Sequence, residues 1–160
     1  MALQTLAIQL SYIDIVIKRN TSDLSHAESM QIPKEGGNCI NWILGHILGS
    51  RNGFLQILGE GPALPAEKIE LYKRGSNPLT DSEEALPLQN LLELFQSSHE
   101  RMLLALQQTD PARLAEPAPF SPLDKPGETV GSLLAGLIFH EAYHAGQTGT
   151  LRHILGKKGV

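Results

Sequence analysis

Leu3, Leu6, Leu10, Ile13 and Ile17 step along the chain by three or four residues, the stripe of an amphipathic helix. Three further stretches repeat the pattern. From about Cys39 to Leu58 the stripe is Ile40, Ile43, Ile47, Phe54 and Ile57, and from about Pro87 to Gln108 it is Leu88, Leu92, Phe95, Met102 and Leu106. From about Thr129 to Leu155 it is Val130, Leu133, Leu137, Leu151 and Ile154, with Gly156 as a C-terminal stop. Pro87 suits a first helical turn and would disrupt an interior one. The connections are rich in breakers: IPKEGGN, GEGPALP, and DPARLAEPAPFSPLDKPGE with its five prolines, which reads as a long ordered crossing. A short helical turn is expected within AEKIELYKRGSNPLTDSEEAL. No stretch alternates with period two for long enough to form a convincing strand. Four such helices with long connections predict an all-α protein, a four-helix bundle with long crossover loops. At 160 residues the chain suits one domain over positions 1–160.

Charge narrows the partners. Lys+Arg number 13 against 17 Asp+Glu with no basic block, so the concentrated positive face of a nucleic-acid binder is missing. The first apolar run is broken by Gln4, Gln9 and Asp14 and reads as neither signal peptide nor membrane span. A solitary Cys39 excludes an internal disulfide and fits a reducing cytoplasm.

The helical stripes carry polar exceptions. On the fourth helix the inward series Leu133, Leu137 continues as His140 and His144, one turn apart on one face. On the second, His46 and Ser50 fall between Ile43 and Phe54. Left unpaired, buried polar groups cost roughly 1–3 kcal/mol each. A shared metal ion would compensate; hydrogen-bonded structural histidines are the alternative. Gly45, Gly49 and Gly53, with Ala142/Gly146 and Ala145/Gly149, repeat a small-residue spacing that predicts close approach of these two helices.

HEAYH at 140–144 matches the zinc-protease signature H-E-x-x-H, but the rest of a protease is missing. The extended form needs a glycine three and a histidine six residues further on, and here those positions are Gln147 and Thr150. No acidic residue follows Glu141. A third ligand must come from upstream, and His46 is the candidate.

NWILGHILGSRNGFLQILG, followed by HEAYHAGQTGTLRHILG, resembles the DinB/YfiT-like family of metal-dependent enzymes. The likeness lies in the single histidine of the second helix, the H-x-x-x-H pair and the GQxxxLRxxLG run. It implies an up-down-down-up bundle with His46, His140 and His144 around one divalent ion, zinc or nickel in first place. It further implies a homodimer and small-molecule chemistry. Relatives of this kind include transferases that use a low-molecular-weight thiol.

Three neutral imidazoles and an open position suit a catalytic ion rather than a structural one. Such an ion lowers the pKa of water or of a thiol, so thiol transfer and metal-assisted hydrolysis or isomerisation both follow, as does a non-catalytic metal-binding, stress-related protein. Glu141 is a candidate general base, with an interhelical carboxylate as its alternative. Tyr143 is a candidate substrate donor, with packing as its alternative. Arg51 is placed at the cavity mouth to bind an anionic cosubstrate. Gln147 could orient a histidine, Arg152 is expected to pair with an acid, and Trp42 to shield the site or pack in the core. His99, or water, could complete the metal shell. Cys39 reads as a core residue, and His26 and His153 receive no role.

Overall fold

The computed structural model describes residues 1–81 and 83–159. Its long helices are α1 (Ala2–Thr21), α3 (Ile40–Ile57), α5 (Leu88–Gln108) and α6 (Val130–Ile154); α2 (His26–Ser29) and α4 (Ile69–Tyr72) are single turns. The long helices match the four apolar stripes to within a residue or two at most ends. Leu10, Ile17, Leu44, Ile47, Phe95 and Leu134 are among the side chains that close the core between them.

Local chemistry sets the helix ends. Thr129 and Ser132 form a reciprocal cap at the start of α6, and Ser25 and Glu28 do the same for α2. Cys39 caps α3, its sulfur accepting from the Trp42 amide at 3.4 Å. Pro87 stands at the cap of α5 and leaves no side chain to receive the first amides. That place is taken from a distance, since His26 Nδ1 accepts from the Leu88 amide at 3.2 Å. His26, given no role from sequence, therefore caps a helix.

α1 and α3 each pack against both α5 and α6. Which ends meet fixes their directions. Asn20, late in α1, donates to Thr148, late in α6, at 2.9 Å, so these two run the same way. Asn41, early in α3, donates to the Leu86 carbonyl before α5 at 2.8 Å, and Arg51 further on reaches Phe95 at 2.7 Å, so α3 and α5 also run together. The carbonyl of Ile57 accepts from Arg113 at 3.0 Å. Leu114 next to it lies against Gly131 at the start of α6, so α3 and α6 are antiparallel.

The two long connections cover the bundle. A short 3-10 stretch, Ala66–Lys68, leads into α4. The proline-rich crossing contains a second, Pro111–Ala115, and an isolated bridge between Pro117 and Thr129.

The expected glycine seam between α3 and α6 is not found. A Cβ on Gly45 would enter the Tyr72 ring, while those on Gly49 and Gly53 would approach Leu64 and Phe120. These glycines receive side chains from the covering connections, not the backbone of α6. Across the way Gly149 faces Asn20 of α1 and Gly146 faces open space. Among the described residues, no helix is long and apolar enough to cross a membrane.

Candidate metal centre

His46 on α3 meets His140 and His144 on α6, and one ligand atom from each lies within 4.8 Å of the others. His140 Nε2 is 3.2 Å from His46 Nε2 and 3.1 Å from His144 Nε2. Around one ion with bonds of about 2.0–2.1 Å, neighbouring donors at angles between square and tetrahedral lie roughly 2.8–3.4 Å apart. The two separations measured from His140 fall in that range.

The outer nitrogens explain the aim. His46 Nδ1 donates to the carbonyl of Tyr72 at 2.8 Å, and a carbonyl can only accept, so in the neutral ring Nε2 is a bare lone pair. His144 Nδ1 faces the Gln147 amide oxygen at 2.7 Å, which assigns the same tautomer. Two lone pairs thus converge on His140 Nε2, whose single proton could satisfy only one. A cation satisfies all three donors together.

Burial keeps the rings neutral. Desolvation lowers the pKa of His46 and of His144. His140 falls to about 4, by desolvation first and then through the neighbouring His144 and His46. Neutral imidazole is the form that binds metal. Trp42 lies flat against His46, ring centroids 4.6 Å apart and planes 11° from parallel, and closes one side of the centre.

The histidines open onto a cavity of about 910 Å³ whose wall includes Leu64, Leu133, Leu137 and Phe139. Tyr143 also lines it, is 59% exposed, and sets its ring edge-on to His144 at 5.1 Å. Its hydroxyl is available to a ligand.

Two expected site residues are elsewhere. Arg51 is not at the cavity mouth: it is 1% exposed and wholly engaged. Its guanidinium forms a two-point pair with Glu141, donates to the Phe95 carbonyl and the Ser98 hydroxyl at 2.7 Å each, and lies 3.7 Å over the Phe95 ring. Glu141, 3% exposed, is consequently an interhelical carboxylate and not a base facing the cavity. Position 141 is turned about 100° around α6 from His140, and position 51 about 140° around α3 from His46, so both point to the bundle interior. Complementary charges on two buried stripes were the available signal.

His99 is buried on α5 outside the histidine cluster, with Asp14 of α1 foremost among the charges acting on it. It does not complete the shell. Cys39 is fully buried and its thiol pKa is raised by desolvation, consistent with a core residue. Arg152 pairs with Asp23 and also donates to the Asn20 carbonyl at 3.2 Å, tying α6 to the end of α1.

The model of the DinB superfamily matches residues 19–148, a span holding all three histidines. The chain belongs to the DinB superfamily. A solved structure with the same fold comes from Enterococcus faecalis, described as the conserved protein of a locus. Its TM-score is 0.72 at 15% identity, with 95% of each chain covered. No curated protein matches the sequence. Superfamily membership and the converging donors agree on a centre that could hold a metal ion.

Proposed function

We propose that this DinB-superfamily protein is a metal-dependent enzyme of small molecules, with one divalent ion, zinc or nickel, held by His46, His140 and His144. The observation that carries the reading is the convergence of three Nε2 atoms, two of them stripped of protons by acceptors behind the rings. The ion supplies Lewis acidity, which brings a thiol or a water within reach of deprotonation near neutral pH. The chain's own groups do the remainder. Tyr72 and Gln147 hold two imidazoles in place, Trp42 keeps water from one face, and the apolar wall dehydrates whatever enters. Tyr143 is proposed to donate a hydrogen bond to the bound substrate.

Of the reactions open to such a centre, transfer of a low-molecular-weight thiol to an electrophile is preferred. A cavity of about 910 Å³ has room for two small reactants side by side. We further propose one domain acting as a homodimer in the cytoplasm. Ile8, Tyr12 and Ile15 form an exposed apolar strip on α1, which supports the pairing and is tested by light scattering.

Elemental analysis of untagged protein beside His144→Ala is the decisive test. About one ion per parent chain and none in the variant is the expected result. No ion in either after incubation with zinc and nickel returns the histidines to a structural role.

A further inference from the structure

The charges around the cavity run against the chain's composition. Lys73, Arg74 and Lys125 line it against one acid, Glu128, in a protein whose overall balance is −4. Glu128 is occupied: it accepts from Ser121 at 3.2 Å and from Ser132 at the cap of α6, and pairs with Lys125 at 3.6 Å. Among the described residues Lys73 pairs only with exposed Glu70, a contact that a ligand can replace. Arg74 is exposed and makes no hydrogen bond or ion pair among the described residues.

The turn bearing Lys73 and Arg74 is fixed relative to the histidines. The Ser76 amide donates to the Lys73 carbonyl at 3.1 Å, and Gly75 takes the positive φ of 79° that the turn requires. Ser76 Oγ accepts from the Trp42 indole at 2.9 Å, and the same indole lies flat on His46. One side chain therefore joins the basic turn to the metal centre, with an apolar wall formed by Leu64, Ile69, Leu133 and Leu137 in the same cavity.

We propose that the cavity takes a small amphipathic anion. Its apolar body lies on the leucine and isoleucine wall, and its carboxylate, or a comparable oxyanion, is held by the turn through Arg74. Its other end reaches the histidines. The inference rests on the reading of those histidines as the reactive centre, and it specifies which molecules they meet.

Calorimetric titration with octanoate, octan-1-ol and octylamine tests it, on zinc-loaded protein, on chelated protein, and on Arg74→Ala and Arg74→Lys. Octanoate is expected to bind about ten-fold more tightly than octan-1-ol, the worth of one hydrogen bond to a charged group, with octylamine weakest. Arg74→Ala erases that preference, Arg74→Lys keeps most of it, and chelation leaves it in place. A preference that survives Arg74→Ala but disappears on chelation gives the carboxylate to the ion and overturns the proposal. Equal binding of acid and alcohol, or binding of none of the three, also overturns it. Ion content is measured on the same samples. An ion-free parent that keeps an Arg74-dependent preference would refute the metal reading and leave the anion site standing.

Discussion

At His46 the tautomer is set by main chain from another segment, and that segment depends on a missing side chain. Tyr72 places its carbonyl on His46 Nδ1 and its ring over Gly45. The Tyr72 hydroxyl donates to Asn41 at 3.0 Å and accepts from the Leu86 amide at 2.8 Å, so the far end of the ring is anchored by two hydrogen bonds. Gly45→Ala should force Tyr72 off α3, cost about 1–3 kcal/mol by overpacking, and weaken zinc binding by at least about ten-fold, the effect of losing a partner behind a ligand. Competition with a chromogenic chelator measures the second quantity. Gly146→Ala, where the added methyl meets nothing within 4 Å, should leave zinc binding as it was.

Between elements, the buried Arg51–Glu141 pair locks α3 against α6 beside the rows that carry the histidines, and its links to Phe95 and Ser98 bring in α5. Removing one partner strands the other charge. Arg51→Met should therefore destabilise by about 3–5 kcal/mol in urea unfolding, and Arg51→Met with Glu141→Met should recover most of that loss. A double variant no more stable than the single one would show that the pair is not the source. The helices themselves were legible, because a stripe with period 3.6 records which side is buried. The histidines were legible for the same reason, as polar breaks in a stripe. Partners were not. Periodicity marks which rows of a helix are buried, but not whether the neighbour of Gly45, Glu141 or Arg51 is α6, a covering loop or an opposite charge. Gly45 therefore suggested a helix seam where Tyr72 sits, and Arg51 a cavity mouth where Glu141 sits. α2 was missed because four residues carry no period, although the Ser25–Glu28 spacing matches a capping box.

Over the whole molecule the histidines tie stability to pH. His46, His99, His140 and His144 all have folded pKa values below the ordinary 6.5, with desolvation the leading cause. As pH falls, the unfolded chain takes up protons first, so this contribution is complete above about 6.5 and is lost as pH drops through that value. For His140 the loss continues to about 4, where the folded ring also protonates. With chelator present, the melting temperature should decline steadily across this interval, and His140→Gln should flatten the slope. A melting temperature that stays constant from pH 7 down to pH 4 would contradict the assignment of buried neutral rings.

Trp42 is the single tryptophan of the chain, and its ring lies face to face with a proposed metal ligand. The protein thus contains its own optical probe. Indole emission is quenched more strongly by imidazolium than by imidazole and responds to a paramagnetic ion in contact with its neighbour. Intrinsic fluorescence is therefore expected to follow the protonation and metal occupancy of His46 without a label.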